Sequence, residues 1–201
     1  MSASGVGGGL IVPIVEGQSE ERSIGVVLRR LLHEQIDAYD IQVARPFRVK
    51  RNRVVREGEL ERSILQAERS RAGASAIMIL LDADIDCPAT LGDVLRNRAS
   101  KQTSLRVSVV LPKVETEAWI LAGIESVRGV RGIRDDAVAP DDPEQVRDAK
   151  GALSALMTGS RGYVATDDQP AFFSQLDLNL VASRSPSFAK FSRDLTAIVA
   201  R

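Results

Sequence analysis

The stretch Ala74-Ser75-Ala76-Ile77-Met78-Ile79-Leu80-Leu81-Asp82-Ala83-Asp84-Ile85-Asp86 decides how the chain folds. Five consecutive apolar side chains, 77–81, suit a strand covered on both faces, as in a parallel sheet. Gly73 precedes the run and three alternating aspartates end it, so the chain leaves the core at a defined edge. Pro88 then falls where the first turn of a helix accepts proline. Leu91, Val94 and Leu95 are the expected inward face of that helix.

The same pattern repeats on either side. Leu10-Ile11-Val12-Pro13-Ile14-Val15 is a short β-branched run ending in Glu16-Gly17-Gln18-Ser19. Pro13 favours an edge or strand end, because proline donates nothing to a ladder. Gly17 permits a sharp turn, and Ser19 is the expected cap of a helix whose apolar stripe is Ile24, Val27, Leu28, Leu31, Leu32 and Ile36. A second strand is expected over 39–43, then a basic segment over 45–56, then a helix over 58–71 burying Leu60, Ile64 and Ala67. Residues 105–111 read as a fourth strand closed by Pro112, and 115–122 as a short helix carrying Trp119.

Regular alternation of strand and helix from 10 to 122 predicts an α/β fold. Its mostly parallel, Rossmann-like sheet is flanked by helices and joined by right-handed crossovers. After Gly123 the rhythm breaks. Residues 127–143 read as a loop, 143–157 as a helix, and 159–201 as a mixed tail that 185–188 interrupts before a final helix. The expected organisation is a core over 9–123 with a mixed, mainly helical extension over 124–201 packed on it.

Composition narrows the function classes. Of the 201 residues 44% are hydrophobic and 27% charged, ordinary values for a globular protein. The longest apolar run, 76–81, is far short of the roughly 20 residues of a membrane span. Residues 5–10 are glycine-rich, lack the basic start of a secretory signal and read as a loose lead into the first strand. Cys87 is the one cysteine, so no internal disulfide forms; a partly buried structural thiol and a reducing, cytoplasmic setting are expected. His33 is the one histidine, which argues against a histidine-rich zinc site and a Ser-His-Asp hydrolase.

Chemistry concentrates at the strand ends, where open parallel sheets bind ligands. Glu16 follows the first strand and Asp82, Asp84 and Asp86 the third. In an extended chain the first and third residues of Asp-x-Asp share a side, so Asp82 and Asp84 are expected to reach one ion. Carboxylates without histidine or thiolate select magnesium or manganese. Glu20 lies one helical turn beyond Glu16 and is expected to face the same spot. Glu115 and Glu117 follow the fourth strand on the same edge; their alternative reading is a first helical turn meeting the helix dipole.

Formal net charge is zero, yet Arg45, Arg48, Lys50, Arg51, Arg53 and Arg56 crowd one segment. Runs of charge usually form solvated loops. Beside an acidic edge, this one suits phosphate neutralisation rather than base reading. Lys150, Tyr163, Asp168, Gln169 and residues 184–188 are weaker candidates for a lid or docking surface. Tyr163 reads as a buried or interface tyrosine before a nucleophile.

Val15-Glu16-Gly17 closing one strand and Leu81-Asp82-Ala83-Asp84 closing a later one resemble the Toprim fold of topoisomerases, bacterial primases, recombination-mediator proteins and overcoming-lysogenisation-defect nucleases. The resemblance implies proton transfer and metal binding at Glu16, magnesium at Asp82 and Asp84, and a second metal assisted by Glu20. Four pieces together, 12–17, 80–89, 115–119 and 183–188, resemble a bacterial Toprim-like family catalogued as a domain of unknown function. Such proteins resemble the nuclease half of two-component defence modules whose other half is an ABC/AAA-type ATPase. The implied activity is magnesium- or manganese-dependent hydrolysis of DNA or RNA by a cytoplasmic defence protein. The implied partners are nucleic acid and that ATPase, with no membrane, and a homo-oligomer is left open. One rival is an Asp-x-Asp nucleotide-sugar transferase, although no nucleotide-binding apparatus precedes the motif. A haloacid-dehalogenase reading is weaker, since Glu16 stands where its first aspartate belongs. The non-enzyme rival is a regulatory subunit docking on an ATPase through the Trp119 helix and residues 185–188.

Overall fold

The computed structural model describes residues 8–56 and 58–200; the glycines at 5 and 7, and the side chain of Arg51, lie outside the described residues. Five parallel strands form one sheet: β1 (Leu10–Val15), β2 (Gln42–Val43), β3 (Phe47–Arg48), β4 (Ala74–Leu80) and β5 (Arg106–Val110). Both short strands pair with the same side of β1, β2 at Leu10 and Ile11 and β3 at Ile14 and Val15, so the order across the sheet is β2/β3, β1, β4, β5. The expected second strand over 39–43 is thus reduced to two residues, and Phe47–Arg48, read as part of a basic loop, resumes the same edge.

Pro13 explains the break. The carbonyls of Gly9, Ile11 and Val15 accept from Gln42, Ala44 and Val49, so odd positions of β1 face that edge. Position 13 faces it too, and a proline there has no N–H to offer. The gap between β2 and β3 falls opposite this missing donor. Pro13 therefore sits in a central strand, not at an edge as its chemistry alone implied.

Alternation along β1 and β4 divides the core. Ile11, Val15, Ala76, Met78 and Leu80 face one layer; Val12, Ile14, Ile77, Ile79 and Leu81 face the other. The second layer consists of α2 (Arg51–Val54), α3 (Glu59–Ser70) and α4 (Pro88–Ser100), burying Val54, Leu60, Ile64, Ala67 and Leu95. Val94, expected to point inward, is half exposed on the outer side of α4. Cys87 is exposed just ahead of α4, not partly buried. The first layer holds α1 (Gln18–Arg30), which continues through one π turn, Leu31–Gln35. The residue before α1 is Gly17, and no side chain caps it; Ser19 Oγ instead donates to Glu20 Oε1 at 3.2 Å.

The chain beyond 123 completes this first layer. The short α5 (Ala118–Ala122) is buried throughout. Around it lie α6 (Ala149–Ala155), α7 (Ala165–Phe173), α8 (Leu178–Arg184) and α9 (Pro186–Val199). The helix expected over 143–157 is shorter than read, a 3-10 turn at Pro143–Gln145 followed by α6. Residues 185–188 mark the break expected before the final helix: Ser185 separates α8 from α9 and caps α9 by accepting from Phe188 N. Trp119 is fully buried, edge-on to Phe188 at 5.0 Å and tilted against Phe191 at 5.2 Å, while its Nε1 donates to Ser187 Oγ. α9 also covers the free edge of β5. Lys190 Nζ donates to Val109 O, Ser108 Oγ to Asp194, and Arg106 to the carbonyls of Ala197, Ile198 and Ala200. An exposed parallel edge is an open template for another chain, and this one is closed by side chains. Among the described residues no helix is long and apolar enough to cross a membrane.

Candidate functional site

Strand order reverses between β1 and β4, since β2 leaves β1 in one direction and β4 lies in the other. Ligand sites of open parallel sheets form at such a switch point, beyond the carboxyl ends of the strands. Val15 pairs with Leu80, so Glu16 lies one residue and Asp82 two residues past the last paired positions. Pairing with β5 persists past the strands through Leu81 N to Val110 O and Ala83 N to Pro112 O, which fixes the backbone around Asp82.

The acids read from sequence as one set separate into two neighbouring groups. Asp82 continues the parity of Met78 and Leu80 and so faces α1 and α5. Its Oδ1 accepts from Thr116 N at 2.9 Å and Thr116 Oγ1 at 2.8 Å. Burial, then the charge of Glu20, with a smaller push from Glu117, raises its proton affinity well above the usual carboxylate range; the Thr116 hydroxyl and Lys150 only partly offset this. Glu117 is fully buried, and burial with Glu20 and Glu115 nearby likewise raises its proton affinity against the pull of Lys150. Tyr163 donates to Glu117 Oε1 at 3.3 Å, whereas Glu117 Oε2 is buried with no hydrogen-bond partner and has Lys150 Nζ at 3.5 Å. Lys150 sits at 2.6 Å from Glu115 Oε1. Burial alone would lower its proton affinity, but Glu117 and Glu115 outweigh burial and raise it. Glu20 is buried at the start of α1 and accepts from Gln169 Nε2, whose amide oxygen accepts from Ser23. Gly17 makes that position accessible: a Cβ there would collide with Glu20 Oε2. Glu20, Asp82, Glu115, Glu117, Lys150 and Tyr163 thus form one polar cluster under the sheet edge.

The second group is open. Glu16 and Asp84 line a crevice of about 670 Å³ with Gly17, Gln18, Arg48, Lys50 and Asn52. Asp84 adopts a left-handed backbone (φ 51°), one of the few non-glycine residues suited to it, so the strand alternation that relates it to Asp82 ends there. Asp86 N closes the turn onto Ala83 O, and Asp86 lines a separate crevice beyond Asp84. Of the basic run, Arg48 and Lys50 reach the first crevice and meet no carboxylate among the described residues. Arg45 is paired with Glu21 outside it, Arg53 and Arg56 are exposed elsewhere on that segment, and the Arg51 side chain is outside the described residues.

Sequence reasoning found the acids but not their counter-groups. Thr116 left no signal beyond its place between two glutamates. Lys150, Tyr163 and Gln169 read as a lid; they line the cluster because α6 and α7 pack on α1 and α5.

The donors are all oxygens, and Glu117 Oε2 is buried without a hydrogen-bond partner among the described residues. Both features fit a hard divalent cation. The ligand set is not preassembled: among the described residues no three His, Cys, Asp or Glu side chains converge closely enough to hold an ion.

Fold and site define the class: a parallel, Rossmann-like α/β protein whose acids and cations meet at the switch point of its sheet. The chain belongs to the family described as Domain of unknown function (DUF4276), whose model matches residues 15–196. No curated protein and no solved structure matches it.

Proposed function

We propose that the protein is a Toprim-like, divalent-metal-dependent phosphodiesterase acting on nucleic acid. The observation that carries this reading is the meeting, at one switch point, of acids from neighbouring strand ends with Arg48 and Lys50, cations that have no carboxylate partner among the described residues. An acid cluster alone would suit many roles. Cations within the same crevice supply what a phosphodiester backbone needs.

Glu16 and Asp84 on one side, and Asp82 with Glu20 and Glu117 on the other, are the residues that would hold magnesium or manganese. When bound, such an ion polarises a phosphoryl oxygen and makes a coordinated water more acidic. Arg48 and Lys50 orient the phosphate over the strand ends. Glu16, at the crevice wall, is placed to accept a proton from the attacking water or return one to the leaving oxygen. Thr116 fixes the Asp82 carboxylate, and Lys150 balances Glu115 and Glu117. The resemblance to nuclease subunits of ATPase-coupled defence modules extends the proposal to an ABC/AAA-type partner.

Hydrolysis of labelled DNA and RNA in magnesium or in EDTA tests the activity, with Glu16→Ala and Asp82→Ala as variants. Cleavage by wild type in magnesium only, lost in both variants, is expected. Equal cleavage by all three proteins would remove the proposal.

A further inference from the structure

The turn at Asp84 separates two crevices of similar size. The first, about 670 Å³, holds Arg48 and Lys50 beside Glu16. The second, about 610 Å³, holds Lys113 and Arg147 beside Asp86. Asp84 lines both. Lys113 and Arg147, like Arg48 and Lys50, have no carboxylate partner among the described residues. Many arginines elsewhere are committed: Arg30, Arg62, Arg98, Arg134 and Arg184 each hold a glutamate or aspartate. Two cations, a shared aspartate and two more cations therefore line adjoining crevices. Ile85, next to Asp84, lines the second crevice and has 98% of its surface exposed.

We propose that these two crevices form one continuous track for single-stranded nucleic acid, with phosphates held at Arg48/Lys50 and at Lys113/Arg147 and the phosphodiester between them lying over Asp84. This deepens the phosphodiesterase reading and rests on it. A bond with phosphates bound on both sides is an internal one, so the track selects a polymer over a mononucleotide. Each crevice is of small-ligand size, enough for one unit of a strand. Carboxylates at the centre repel a polyanion unless a cation screens them, and the flanking pairs supply attraction on both sides. Ile85, on the second crevice, offers an apolar contact to a base.

Binding of fluorescein-labelled oligonucleotides, measured by anisotropy in calcium and in EDTA across a salt series, tests the track apart from the chemistry. The arms are single-stranded DNA, single-stranded RNA of the same sequence, and the DNA duplex. Single strands are expected to bind more tightly than the duplex. In Lys113→Ala/Arg147→Ala, affinity at low salt should fall about tenfold or more, and the slope of log K against log salt should shrink by about 1.4, at about 0.7 per lost phosphate contact on a single strand. Ile85→Ala should weaken binding with the slope unchanged, the mark of an apolar contact. Far-UV circular dichroism and melting verify that each variant is folded. An unchanged slope in the double variant, a duplex bound as tightly as the single strand, or no polynucleotide binding by wild type would overturn the track. Failure of the phosphodiesterase reading appears elsewhere, as wild type that binds the strand and leaves it uncut in magnesium.

Discussion

Asp82 is a residue whose ionised form the folded protein disfavours. Burial and the neighbouring Glu20 raise its proton affinity, and Thr116 only partly compensates. A carboxyl that binds its proton more tightly folded than unfolded contributes stability at low pH, and that stability is lost as pH rises through the raised pKa. Without metal, the ionised form of Asp82 is therefore destabilising. Asp82→Asn keeps an acceptor for Thr116 and removes the charge, so it should raise the melting temperature in EDTA. Added magnesium should narrow the difference by stabilising wild type alone. A variant that melts lower than wild type in EDTA would contradict this account of the cluster. At this scale the acids at the strand ends were legible in the sequence but not their grouping. The left-handed turn at Asp84 overrides the alternation that would place it beside Asp82, and an Asp-x-Asp string carries no sign of that turn.

Helix α3 is tied to α4 and to the end of α2 by one side chain. Arg98 pairs with Glu61 through two nitrogens, at 2.7 and 2.8 Å, and donates to the carbonyls of Val54, Val55 and Arg56. Its hydrogen bond holds the Glu61 carboxyl below the usual range. A depressed carboxyl contributes stability above its unfolded pKa and loses it as pH falls through the folded one. Arg98→Ala should cost about 1–3 kcal/mol near pH 7, the range for hydrogen bonds to charged groups, as read by urea denaturation. The gap to wild type should shrink as the pH is lowered below the usual glutamate range; a gap independent of pH would mean that the carbonyl contacts alone carry the effect. Long periodic elements such as α1, α3 and β4 were legible because each buries one side or both sides of a continuous pattern. β2 and β3 were not, since two-residue strands exist only through pairing with β1 and the donor Pro13 lacks.

Across the whole molecule, the chain beyond 123 supplies half of one layer and part of the site. Trp119 is the joint, packed among Phe173, Phe188 and Phe191 with its Nε1 satisfied by Ser187. Trp119→Ala should destabilise by about 3–5 kcal/mol, the usual cost of emptying a buried aromatic site, measured by denaturant midpoint. A loss below about 1 kcal/mol would mean that this layer is loosely packed. Lys150, Tyr163 and Gln169 reach the acids only through this long-range packing, which explains why their role was hidden in a linear reading of the tail.

The central claim is that the carboxylates at the switch point hold a divalent cation. Calorimetric titration of the metal-free protein with manganese tests it most directly, comparing wild type with Glu16→Gln and Asp82→Asn. Saturable binding by wild type, weakened at least tenfold in Asp82→Asn and reduced in Glu16→Gln, is the predicted result. Absence of binding by wild type, or identical isotherms for all three folded proteins, would contradict it.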